Sequence, residues 1–168
     1  MALVTLSLGS NINPAFNIRQ AVTALESRYG PLRVSPVYES EAVGFDGNNF
    51  LNLVIAMDID DSLEDLAGTL KSIEDRQGRD RSTSRFSGRT LDIDILTFDD
   101  LTGTHAGMEL PRPEITEHAF VLQPLADLLP RARHPLIGKT YEQLWSEFQR
   151  QGSRNQRLWQ IPFQWQTA

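Results

Sequence analysis

Thr90-Leu91-Asp92-Ile93-Asp94-Ile95-Leu96-Thr97-Phe98 alternates apolar and polar side chains more cleanly than any other stretch of the chain. β-Branched and aromatic residues at period two mark a half-buried strand, here with Ile93 and Ile95 on one face and Asp92 and Asp94 on the other. Ahead of it, Ser62 offers an N-cap and Asp65 stands at the third helical position. Leu63, Leu66, Leu70 and Ile73 then recur at helical spacing toward Gly78. Further back, residues 49–58 read as a strand. Residues 41–48, with Gly44 and Gly47, read as a mobile polar loop, and residues 32–40 as another strand. At the start, residues 2–9 alternate Leu6 and Leu8 with Thr5 and Ser7 and stop at Gly9. Ser10 to Pro14 supply cap residues, and Phe16, Ile18, Val22 and Leu25 mark a helix to about Arg28, ended by Gly30-Pro31. The order βαββαβ predicts an α+β, ferredoxin-like core: an antiparallel sheet with two helices on one face and the other face free for loops and ligand. C-terminal additions follow, with a turn at Pro111–Pro113, a short helix after Pro124 and a segment around Tyr141 to Phe148.

The whole chain has 168 residues and 40% apolar residues, enough for one domain with a proper core. We expect that domain over residues 1–148 and a separate tail over 149–168. Sixteen Lys and Arg against 22 Asp and Glu leave a net charge of -6, which argues against a nucleic-acid binder. The absence of cysteine excludes disulfide scaffolds, thiolate metal sites and Cys nucleophiles. The longest apolar run, Leu53 to Met57, is far too short to span a membrane, so we expect a soluble cytoplasmic protein, a monomer or weak dimer. The tail holds six Gln, two Trp and one Phe, and reads either as a strap packed on the domain or as a partner-binding segment.

Charge is unevenly distributed. From Arg76 to Arg89 there are five Arg and one acid, Asp80, so this stretch carries +4; Asp92, Asp94, Asp99 and Asp100 follow without a basic residue. A cationic loop beside paired carboxylates suits a magnesium–polyphosphate substrate, since guanidinium forks bind phosphate oxygens and carboxylates hold the bridging metal. Asp92 and Asp94, at i and i+2 of a strand, lie roughly 7 Å apart on one face; a solvated strand face is the plainer reading of the pair. Phe50, Asn52 and Val54 also share a face. The Asn52 amide needs partners, either from a neighbouring loop or from the donor–acceptor edge of a flat heterocycle stacked on Phe50. Gly138-Lys139-Thr140 lacks the leading glycine of a P-loop, His105, His118 and His134 have no zinc-helix spacing, and no Gly-x-Ser-x-Gly elbow is present.

Taken together, Ser7-Leu8-Gly9-Ser10-Asn11, Phe50-Leu51-Asn52, Ile73-Glu74 with Gly78-Arg79, Arg85 to Asp94, and Leu110-Pro111-Arg112-Pro113 with Ala119 to Leu125 resemble the 6-hydroxymethyl-7,8-dihydropterin pyrophosphokinase family over about residues 1–135. The resemblance implies an enzyme of folate biosynthesis that transfers pyrophosphate from ATP to the pterin hydroxymethyl oxygen and releases AMP. It implies Asp92 and Asp94 as ligands of two Mg²⁺ ions, and Arg79 and Arg89 as phosphate-contacting catalytic residues. Glu74, Arg81, Arg112 and His118 fall on the ATP side. Phe50 and Phe120 would sandwich the pterin, Asn52 would read its edge, and Val43 and Phe86 would complete that pocket. Three departures from the family pattern stand out: Ser87-Gly88 where Gly-Pro is usual, Arg112 in place of a His, and His118 at a position often filled by Arg. The alternative reading is a diverged paralogue that binds a pterin or related heterocycle, either without catalysis or pyrophosphorylating another heterocyclic alcohol.

Overall fold

The computed structural model describes residues 1–41, 48–78, 91–152 and 156–165. Two long strands occupy its middle: β1 (Ala2–Ser10) and β4 (Phe50–Ile59) run antiparallel with Ala2 opposite Ile59 and Ser10 opposite Leu51. β5 (Asp92–Phe98) flanks β1, and β3 (Val37–Ser40) flanks β4, which also pairs with the short β2 (Arg33–Val34). Every neighbouring pair is antiparallel, and the path β5-β1-β4-β3 is the ferredoxin-like sheet that the βαββαβ order predicts. Period-two alternation turns Val4, Leu6, Leu8, Leu53, Ile55, Met57, Ile93 and Ile95 to one face. There they join Ile18, Ala21, Val22 and Leu25 of α1 (Pro14–Tyr29) and Leu66, Leu70 and Ile73 of α2 (Leu63–Arg76) in one buried core. The Ser62 hydroxyl accepts the Asp65 N–H at the start of α2, as the cap pattern predicts. Among the described residues no helix is long and apolar enough to cross a membrane.

Several expectations need correction. The strand read over 32–40 is two strands, because Pro36 has no N–H to give to a ladder and the register slips by one residue between Val34 opposite Ile55 and Tyr38 opposite Asn52. Ser35 mends the gap: its N–H donates to the Val54 carbonyl at 2.9 Å, and its hydroxyl accepts the Val54 N–H at 2.9 Å. Phe16 lies outside the core at 46% exposure, since it sits about 200° around the helix from Ile18. Asn13 does not cap α1 with its side chain; it takes a left-handed backbone (φ 45°) and hands over to Pro14 at the first helical position. Pro124 does not precede a helix but lies within α3 (Ala119–Leu128), where it removes only the N–H due to Phe120's carbonyl. A mid-helix proline costs about 3 kcal/mol, and burying Val121, Leu122 and Leu125 at about 1.5–3 kcal/mol each outweighs it.

The second face of the sheet is not left free. α3 and α4 (Tyr141–Arg150) cover its middle, joining Val54 and Leu96 to Ala119, Val121, Leu122, Leu125, Tyr141, Leu144 and Phe148. α4 starts at a full capping box between Thr140 and Gln143. A hairpin of β6 (Gly103–His105) and β7 (Met108–Leu110), not foreseen, turns at Ala106 and Gly107, both with positive φ. The tail adds β8 (Leu158–Ile161) to the free edge of β3, with Ile161 and Phe163 against the main core and Arg19 donating to the Gln164 carbonyl at 3.2 Å. Of the two readings of the tail, residues 156–165 take the packed one. The loop expected over 41–48 falls largely on residues 42–47, outside the described residues.

Candidate active site

Register assembles the site. On the face that carries α3, Asp92 of β5 lies opposite Gly9 of β1, which lies opposite Asn52 of β4, which lies opposite Tyr38 of β3. One step along, Asp94 lies opposite Ser7 and Ser7 opposite Val54. A single polar row thus runs from the acid pair to the buried amide. Gly9 does not end β1, as the sequence suggests, but makes this row: a Cβ there would stand 2.7 Å from Asn52 Oδ1, so the amide occupies the space that any other residue would fill. Asn52 is buried, and its Nδ2 donates to Ser40 Oγ at 3.1 Å. Beyond the row, Asn11 Nδ2 donates to the Asn48 carbonyl at 3.2 Å, tying the exit of β1 to the approach to Phe50.

The amide end of the row lies beneath α3. Half-buried Phe120, in the first turn of α3, packs on the apolar cluster around Val54, the next residue on the face shared by Phe50 and Asn52. Tyr38 spans from sheet to helix, its hydroxyl donating to Asp127 of α3 in a short hydrogen bond. Burial first, and the Asp127 carboxylate second, push the Tyr38 phenol well above its ordinary value. The His118 ring stacks on Phe120, with centroids 4.9 Å apart and 18° between planes. His118, expected on the ATP side, and Phe120, expected on the pterin side, are thus in direct contact.

At the acid end, Asp92 is half-buried and Asp94 exposed. Buried Glu74 reaches from α2 beneath the strand, and its Oε2 accepts the Ile93 N–H at 2.8 Å, holding the amide between the two acids. Arg112 is held from behind: its N–H donates to the Leu96 carbonyl at 2.9 Å and its Nε to the Ile95 carbonyl at 3.1 Å. The guanidinium then lies 3.7 Å from Asp94 Oδ1 and 4.0 Å from Glu114 Oε2. That Glu114 oxygen is buried with no hydrogen-bond partner among the described residues. Both Arg112 and His118 meet Glu114: the guanidinium of Arg112 lies 4.0 Å from its Oε2, and the His118 N–H donates to its carbonyl at 3.0 Å. Val43, Arg79, Arg81, Phe86 and Arg89 lie outside the described residues, as do Ser87-Gly88.

Gly9, Tyr38, Ser40 and Asp127 were missed in the sequence. Tyr38 and Ser40 alternate onto one face, but only the pairing of β3 with β4 shows that the face is this one. Chemically the donor set is hard: two carboxylates on one strand face, with no group of three His, Cys, Asp or Glu that could hold a metal among the described residues. Two carboxylates suit Mg²⁺ when phosphate oxygens and water complete its octahedron, and suit zinc poorly.

Comparisons with known proteins bear on the same residues. A family model described as 7,8-dihydro-6-hydroxymethylpterin-pyrophosphokinase matches residues 5–130. The 2-amino-4-hydroxy-6-hydroxymethyldihydropteridine pyrophosphokinase of Pseudomonas aeruginosa is 40% identical over 137 residues, covering 79% of this chain and 83% of that protein. Its namesake from Aquifex aeolicus is 33% identical over 141 residues, covering 83% and 88%. Among solved structures, Plasmodium falciparum HPPK-DHPS superposes with a TM-score of 0.72 at 15% identity, over 92% of this chain and 45% of that one, a likeness of fold. The stretch matched by the family model begins in the first strand and ends just past α3, so it takes in both ends of the polar row, and the chain belongs to the 7,8-dihydro-6-hydroxymethylpterin-pyrophosphokinase family.

Proposed function

We propose that this protein transfers the pyrophosphoryl group of ATP to the hydroxymethyl oxygen of 6-hydroxymethyl-7,8-dihydropterin in folate biosynthesis. The observation that carries the reading is the polar row itself, with a hard carboxylate pair at one end and a buried amide beneath an aromatic-bearing helix at the other. Asn52 and Ser40 offer donors and acceptors to the edge of a flat heterocycle, and Phe50 and Phe120 its stacking faces. The substrate hydroxyl is the nucleophile: its oxygen bonds the β-phosphorus, the bond from that phosphorus to the oxygen bridging to the α-phosphorus breaks, AMP leaves with that oxygen, and the hydroxyl proton passes to solvent. No serine or cysteine nucleophile is required. Asp92 and Asp94 would hold two Mg²⁺ ions, which neutralise charge on the triphosphate when bound. Arg112, braced on the β5 carbonyls, supplies a permanent cation on the ATP side, with Arg79, Arg81 and Arg89 completing the phosphate grip, Glu74 steadying the acid strand, and Val43 and Phe86 closing over the pterin. A cytoplasmic monomer or weak dimer acting on these small molecules completes the proposal.

Incubation with ATP, Mg²⁺ and the hydroxymethyldihydropterin, followed by nucleotide analysis, tests it. AMP and the pterin diphosphate are expected. ADP would overturn pyrophosphoryl transfer, and pterin binding without turnover would replace the enzyme by a binding module.

A further inference from the structure

We propose that the C-terminal segment, which lies beyond residues 5–130 matched by the family model, builds the pterin pocket of this chain, and that Gln156 is the positioning residue for Phe120. The inference rests on the functional reading above.

α3 needs outside help at its start. His118 stands at the N-cap in extended backbone with no side-chain cap bond, and the first turn has no acidic residue, so the opening N–H groups call for an acceptor. Gln156 provides it from 37 residues away: its Oε1 accepts the Ala119 N–H at 2.7 Å and its Nε2 donates to the Glu117 carbonyl at 2.8 Å. One side-chain amide therefore clips the backbone on both sides of His118, one residue before Phe120.

The same segment grips the opposite wall. After Arg157 alone, β8 begins, with Leu158 opposite Ser40 and Gln160 opposite Tyr38. Ser40 is the partner of the Asn52 amide, and Tyr38 bonds Asp127 on α3. Leu158 packs on the apolar cluster that also takes Phe120. Two extended residues span only about 7 Å, so the clip and the strand together set how far the start of α3 stands from β3. That separation is the one across which a ring between Phe50 and Phe120, read by Asn52, has to fit. The acid end has anchors of its own, Glu74 at the Ile93 N–H and the Ile95 carbonyl at Arg112.

Gln156→Leu and Gln156→Glu in the full chain test the assignment by direct titration with 6-hydroxymethylpterin, by the KM of each substrate, and by melting. Gln156→Leu is expected to weaken pterin binding and raise pterin KM about fivefold, the factor that corresponds to loss of a typical helix cap, with ATP KM within about twofold. Gln156→Glu keeps an acceptor for the Ala119 N–H and places negative charge at a helix N-terminus, but it sets an oxygen where the Nε2 donor met the Glu117 carbonyl, so pterin binding should return only in part, to between Gln156→Leu and the parent. Unchanged pterin affinity in Gln156→Leu overturns the proposal. So does equal weakening of ATP and pterin, since that marks general loosening of the fold. A parent protein that binds no pterin would instead refute the functional reading, which separates the two failures.

Discussion

The two faces of the central sheet use the same strands and obey opposite rules. Toward α1 and α2, Leu53 and Ile93 are buried in an apolar core; one residue away on the same strands, Asn52, Asp92 and Asp94 face the other way and form the polar row. The first face is where burial stabilises the fold, at about 1.5–3 kcal/mol for each large side chain. On the second face an apolar cluster under α3 and α4 covers the middle, and beside it stand a buried amide and a carboxylate pair that add nothing to either core. Adjacent residues therefore answer to different assays.

The largest expected effect is on the polar face. Asp92→Ala or Asp94→Ala should lower AMP formation by about a thousandfold, because each removes charge stabilisation worth several kcal/mol. Circular dichroism and urea midpoint should stay near the parent values, since neither side chain belongs to the core. Turnover near the parent level in both would reduce the pair to a solvated strand face.

Leu53→Ala makes the converse test. It should lower unfolding free energy by about 2–5 kcal/mol in urea titration, the range for a buried Leu. Activity per folded molecule should hold; a loss as large as that of the Asp variants would erase the division between the faces.

Within the polar face, Arg112→Ala should raise ATP KM and lower turnover with about 1.5–3 kcal/mol lost in kcat/KM, while pterin binding without nucleotide stays unchanged. Its effect on stability should be small, because Asp94, its partner at 3.7 Å, is half-exposed and the pair is screened by water. Arg112 and His118, whose identities are exchanged relative to the family pattern, both contact Glu114, so in a double-mutant cycle of Arg112→His and His118→Arg the pair should do better than either single change, and simple additivity would refute the coupling.

Gly9→Ala should act at the amide end alone. The new Cβ displaces Asn52 Oδ1, and pterin KM should rise about tenfold with metal affinity retained. The smallest effect lies off the sheet. His134 Nδ1 accepts the Leu136 and Ile137 N–H groups at 3.2 and 3.1 Å, and burial lowers its affinity for a proton. Its folded value lies below the unfolded value of about 6.5, so its contribution is present above that pH and is lost as pH falls. Melting should decline slightly between pH 7 and 5, less so in His134→Asn, with turnover per folded molecule untouched by that substitution.

What the sequence determined by itself was whatever repeats over a few residues. Period-two alternation marked residues 2–9 and 90–98 as strands and set Asp92 and Asp94 on one face; Ser62 with Asp65 placed the start of α2; the family motifs singled out Phe50, Asn52 and Phe120 as expected pterin-side residues. Each is a local signal, because a side chain's face follows from its neighbours along the chain. Only the tertiary structure decided which faces meet. That Gly9 leaves room for Asn52, that Ser35 repairs the ladder around Pro36, that α3 survives Pro124 because Val121, Leu122 and Leu125 are buried, and that Gln156 closes the start of α3 all depend on registers and contacts between segments far apart in the chain. No local pattern encodes them, since the free energy that selects each arrangement is gained only when the distant partners come together.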